Sequence, residues 1–254
     1  MGQAKCETLF RHEIKHIFKS IEMKYKSYQQ TKYIIFFAIL LISKAMVAQT
    51  SKTDPNDFQG WYGASAKIDL PKKWEVNIDY QSRFINNMQT YNGSYITLGG
   101  SKKISKLLTA MADYRIVLAD NGLYHRFTIG SEAQKKLGKF DLSFRMLVQN
   151  QLQDFDELEK ANDNSGYWRT RFMAKTALTK NLNLYVSTEP IMKFGGNYFI
   201  DNLRNTIGLK YKVSDKTKID LFYIYRPDFA KTTYNRLFQV VGINIDFNFK
   251  VKKK

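Results

Sequence analysis

From residue 58 onward, apolar and polar residues alternate strictly over segments of about ten residues, the length a tilted strand needs to cross a bilayer. Trp74, Val76, Ile78, Tyr80 and Phe84 share one face; Glu75, Asn77, Asp79, Gln81 and Arg83 share the other. The same pattern sets Phe140, Leu142, Phe144, Met146 and Val148 against Asp141, Ser143, Arg145 and Gln149. It closes the chain with Val241, Ile243, Ile245, Phe247 and Phe249 against Gly242, Asn244, Asp246 and Asn248. A period of two is the mark of a strand with two unlike faces. Strands of soluble sandwiches are nearer five or six residues. A soluble periplasmic β-sandwich is the competing fold, and it requires shorter strands and a polar outer face.

Eleven segments read as strands: 58–70, 74–85, 92–102, 107–118, 123–134, 139–150, 166–178, 182–193, 199–213, 217–226 and 234–250. Short connections at 71–73, 103–106, 135–139, 179–181 and 214–217 alternate with 86–92, 119–122, 151–165, 193–199 and 227–233. Short turns on one side and longer loops on the other are the plan of an outer-membrane barrel. The fold class is therefore all-β, an antiparallel transmembrane barrel of about twelve strands (10–12), because bacterial barrels close with an even number. The extra strand, or a segment threading the lumen, is expected from 49–57. The mean hydropathy of -0.42 excludes a multi-helix membrane protein but not a barrel, whose polar lumen hides its lipid face in the average.

Ahead of the barrel, residues 33–42 form an apolar run too short to span a bilayer, preceded by Lys24, Lys26 and Lys32 and followed by small residues up to Ala48. That is a signal peptide over 23–48, with cleavage expected after Ala48, and it directs the chain to the cell outer membrane. Residues 1–22 read as a mis-started extension and 49–254 as the barrel domain. Cys6 is the one cysteine, so neither an intrachain disulfide nor a cysteine metal site is available. No cofactor or metal is expected.

Four local patterns add a resemblance. Tyr124-His125-Arg126 opens a strand; Tyr167-Trp168-Arg169-Thr170-Arg171-Phe172 follows; Thr188-Glu189-Pro190 ends a strand; and a run from Phe199 to Leu209 carries Asp201-Asn202-Leu203-Arg204-Asn205. In this order they resemble a domain-of-unknown-function family of small Gram-negative outer-membrane barrels, over most of 58–250. The resemblance implies a barrel and brings no activity or site.

The formal charge is +17. Lysines crowd the short turns, among them Lys72, Lys73, Lys106, Lys135, Lys136, Lys139, Lys180 and Lys216. Nucleic-acid binding, the usual reading of a basic chain, is excluded by export and by this dispersal. The expected partners are outer-membrane lipid, lipopolysaccharide and the barrel-assembly machinery, with small anionic solutes in the lumen. Arginine behaves differently from lysine. By alternation Arg83, Arg115, Arg126, Arg145, Arg169, Arg171, Arg204, Arg226 and Arg236 all face the lumen, most in its outer half, with Glu189 among them. Guanidinium forks recognise carboxylate and phosphate. The set reads either as an anion-binding, anion-preferring lumen or as a structural charge ladder that ties the walls together.

An enzyme is not expected. The alternative is a lipid hydrolase or acyltransferase built on His125, but alternation aims His125 at lipid and Ser131 lies too far down the same strand to be activated. The acidic 151–165 loop lacks calcium-loop spacing and reads as solvated.

Overall fold

The computed structural model describes residues 56–119, 122–153, 165–194, 200–229 and 236–251. The expected signal peptide, the 1–22 extension and most of the acidic 151–165 loop lie outside the described residues. Eleven strands follow in chain order: β1 (Asn56–Asp69), β2 (Trp74–Ile85), β3 (Thr90–Lys103), β4 (Leu108–Ala119), β5 (Gly122–Leu137), β6 (Phe140–Gln153), β7 (Ser165–Ala177), β8 (Leu182–Lys193), β9 (Ile200–Lys212), β10 (Thr217–Asp228) and β11 (Arg236–Lys250). Each pairs with its chain neighbours, and β1 meets β11 to close the barrel.

The ring holds eleven strands, inside the expected range and one short of an even count. The even-number argument assumes that every neighbour is antiparallel. An odd ring of alternating strands must contain one parallel pair, and here β1 and β11 run side by side from Asn56↔Leu237 to Asp69↔Lys250. That seam supplies the backbone partners that lipid cannot. One boundary also differs. The turn expected over 135–139 shrinks to Gly138 and Lys139, because Lys135 and Lys136 stay in the ladder opposite Leu142 and Asp141. Gly138 takes a φ of 57, a left-handed conformation that tolerates the tight reversal.

The molecule is inside out relative to a soluble sandwich. Ile78, Leu98, Ile129, Phe172 and Ile207 are each at least half exposed on the outer wall. Gln59, Thr97, Thr128, Glu132, Gln149, Glu189 and Asn202 are buried within. A single closed sheet with apolar side chains outside and polar ones inside is the arrangement of a barrel that spans lipid.

The lumen is partly filled by a row in which large side chains lie over glycines. Tyr185, Gly208, Phe222, Gly242, Trp61 and Arg83 are successive cross-strand partners from β8 round to β2. Rings lie over the glycines: a Cβ on Gly208 would strike the Tyr185 ring and one on Gly242 the Phe222 ring. Phe222 packs in turn on a small apolar cluster of Trp61, Ile224 and Val240 beside the parallel seam. Gly242→Val should therefore destabilise the barrel by about 1–3 kcal/mol through overpacking. Gly100 faces open space on the outer wall, so Gly100→Ala should leave the temperature of heat-modifiable gel mobility unchanged while Gly242→Val lowers it.

Candidate functional site

Because the strands are long and regular, parity alone carries the expected arginines to the inner wall, and register then sorts the charged residues of the lumen into clusters. The first is a salt-bridged belt. Glu132, Arg145 and Arg171 are cross-strand neighbours on β5, β6 and β7. Arg171 donates to Glu132 at 3.2 Å. Glu189 on β8 receives Arg145 at 2.8 Å on one carboxylate oxygen and Arg169 at 2.9 Å on the other. Arg169 also donates to Gln149 at 3.1 Å. Two of these bonds skip a strand: Arg145 reaches from β6 past β7, and Arg171 from β7 past β6. Two strand spacings are about 9.6 Å, a gap that the long arginine side chain can bridge toward the carboxylate. Glu189 is only 6% exposed, so the pairing is largely shielded from water.

A second cluster toward the short-turn end continues the belt with Asp220 and Asp246, which alternation sets on the inner face, and with Lys210, Ser65 and Tyr185. Lys210 lies 3.2 Å from Asp220 and 3.0 Å from Asp246. Ser65 donates to Asp246 at 2.7 Å, Tyr185 donates to Asp220 at 3.0 Å, and Asn244 also donates to Asp246. Their pairing depends on registers between strands that no local pattern carries.

The third group lines a vestibule of about 360 Å³ at the long-loop end, walled by Arg83, Arg126, Arg169 and Arg204 with Tyr95, Tyr124 and Tyr167. Among the described residues Asp201 is the one carboxylate in that lining. Arg83 is sandwiched between Trp61 and Tyr95, its guanidinium carbon 3.9 Å and 3.8 Å from the two ring centres. Its Nε donates to Gln81 at 2.8 Å. Arg204 lies 5.9 Å from the Trp61 ring centre and opposite Glu189 in register. Arg126 and Arg204 make no salt bridge or hydrogen bond among the described residues, and the Nε of each is buried without an acceptor. Below, a cavity of about 320 Å³ shares Tyr95 and Arg204 with the vestibule and holds Arg115, which donates to Thr97 at 2.6 Å. A third cavity of about 520 Å³ opens toward the short turns between Lys67, Glu75, Lys103 and Glu132.

Arg226 and Arg236 sit apart at the loop-end rim. Arg226 is 3.6 Å from Asp228 and lies over the Phe238 ring, and Arg236 faces Asp228 in the β10–β11 register. The nine arginines thus divide into belt, vestibule and rim, with Arg115 between the first two. His125 sits on the outer wall, where its Nδ1 meets the Tyr114 hydroxyl at 2.6 Å; a phenol, not a seryl hydroxyl, is its partner.

Two solved structures are similar to this chain. One is described as a NanC porin structure in a rhombohedral crystal form, with 12% identity and a TM-score of 0.45 over 66% of this chain and 86% of that one. The other is the crystal structure of OccK8 (OprE) of Pseudomonas aeruginosa, with 8% identity and a TM-score of 0.35 over 65% of this chain and 56% of that one. No curated protein matches the chain. The family model described as protein of unknown function (DUF2490) matches residues 58–237, from the first strand to the opening of the last. The match thus spans β1 to β10 and the first residues of β11, and the chain belongs to DUF2490.

Proposed function

We propose that this protein is an integral outer-membrane barrel, exported on its 23–48 leader, whose long-loop end faces outward and draws small anions into the lumen. One observation carries the reading: Arg126 and Arg204 line the vestibule with no countercharge bonded to them among the described residues. Unneutralised guanidinium groups between low-dielectric walls focus a positive potential and raise the local anion concentration. The stacked Arg83 adds a third cation held in a fixed orientation. The neighbouring tyrosines and Gln149, Gln151 and Asn202 offer neutral donors and acceptors to the rest of a ligand. Three cavities of about 360, 320 and 520 Å³ along the lumen leave room for small solutes.

The belt favours a second reading, a structural or docking barrel whose interior is cross-tied by Arg145, Arg169, Arg171, Glu132 and Glu189. Reconstitution separates the two. The protein should fractionate with the outer membrane and, in a planar bilayer under a salt gradient, give a reversal potential of anion-preferring sign. A folded, inserted barrel without conductance would leave the structural reading and remove the pore.

A further inference from the structure

The short-turn end of the barrel repeats one unit around its circumference. At the short-turn end each of β1, β3, β5, β7, β9 and β11 ends in, or is followed at once by, an apolar residue in phase with its outward-facing row: Leu70, Ile104, Leu137, Leu178, Val213 and Val251. All six are exposed, from 37% at Leu70 to 62% at Leu137. Within two or three residues each of the five turns presents lysine to solvent: Lys72 and Lys73, Lys106, Lys139, Lys180 and Lys216. None of these six lysines has a carboxylate partner among the described residues.

Three of the five turns are also built alike. Ile104 N–H donates to Leu108 at 2.9 Å, Leu178 to Leu182 at 2.9 Å and Val213 to Thr217 at 3.0 Å. In each, the next residue is Ser105, Thr179 or Ser214, whose hydroxyl accepts the backbone N–H groups two and three positions on. A side chain at that position replaces the water that the turn would otherwise need. Aromatic rings stand at the first position of two ascending strands, with Lys102 4.9 Å from the Trp74 ring and Lys139 5.5 Å from the Phe140 ring.

We propose that this ring of apolar side chains and lysines is a binding surface for anionic phospholipid headgroups of the inner leaflet. The outward apolar ring fixes the edge of the hydrocarbon, because those side chains continue the lipid-facing rows of β1, β3, β5, β7, β9 and β11. The lysines stand just beyond that edge, at the depth of the phosphates. Each exposed lysine at such a surface favours an anionic over a zwitterionic headgroup by about fivefold. Aromatic rings beside them occupy the level where ring and headgroup meet. This surface is separate from the vestibule and does not depend on whether the lumen conducts.

The test uses the full barrel in nanodiscs holding a minority of phosphatidylglycerol in phosphatidylethanolamine, with mass spectrometry of the lipids that stay bound after mild detergent extraction. The wild type should retain phosphatidylglycerol at least tenfold above its bulk share. The variant carrying Lys72→Gln, Lys73→Gln, Lys106→Gln, Lys139→Gln, Lys180→Gln and Lys216→Gln should retain it at the bulk share. Raising the salt concentration on the wild type should erode the enrichment, since screening weakens exposed charges; this arm stands even if the variant does not fold. Bulk-share retention by the wild type at low salt, undiminished enrichment in the folded variant, or enrichment indifferent to salt would each overturn the proposal.

Discussion

Glu189→Gln is expected to destabilise the barrel by about 3–5 kcal/mol, the cost of stranding buried charge by removing one partner. The carboxylate is bonded to both Arg145 and Arg169, at 2.8 Å and 2.9 Å, and its side chain is 8% exposed. The substitution keeps the shape but removes the charge, so two guanidinium groups lose their countercharge at once. Arg204, opposite Glu189 in register, loses a neighbouring anion as well. The denaturant midpoint should fall with an unchanged slope, since the barrel still unfolds as one closed sheet. The control is Asp141→Asn, whose partner Lys175 lies 3.4 Å away with both side chains well exposed; pairs of that kind contribute about 0–1 kcal/mol. Equal losses from the two substitutions would show that the belt is not the element that holds the lumen together.

Arg126→Glu with Arg204→Glu is expected to reverse the charge preference of the lumen, from anions to cations, at a cost in stability, since a carboxylate at position 204 would face Glu189 in register. Neither guanidinium is bonded to an acid among the described residues, so the change breaks no ion pair. The lining of the vestibule would turn from four arginines against Asp201 to two arginines against three carboxylates. Of the two that remain, Arg169 is already tied to Glu189. Charge rings at a constriction set the sign of the permeant ion, so the reversal potential should change sign under the same salt gradient. An unchanged reversal potential in a conducting, folded variant would place selectivity elsewhere, with the belt as the next location to alter. The two experiments read different quantities: the belt substitution reports on stability, the vestibule substitution on ion preference.

The division between belt and vestibule also bears on the two sequence readings of the arginines. The ladder reading describes Arg145, Arg169 and Arg171, which meet carboxylates. The anion-attracting reading rests on Arg83, Arg126 and Arg204, which line open space with Tyr95, Tyr124 and Tyr167. Both describe parts of one set of residues that share parity and differ in what stands across the lumen.

Period two by itself determined the class of fold, the strand limits to within a few residues and the wall on which each side chain stands. The reason is that facing alternates along a single strand and needs no knowledge of any other. The lysines at the short turns and the inward arginines were legible on the same ground. Closure was not. The parallel β1–β11 seam follows from the number of strands in the ring and from which two edges meet, and neither is written in any one segment. Nor were the partners of the charges. Arg145 meets Glu189 and Lys210 meets Asp246 only because side chains reach past an intervening strand. The same holds for the row in which Tyr185 and Phe222 lie over Gly208 and Gly242. Register accumulates from one strand pair to the next around a tilted, staggered barrel, so which residues face each other across the lumen is a property of the closed sheet and of no strand within it.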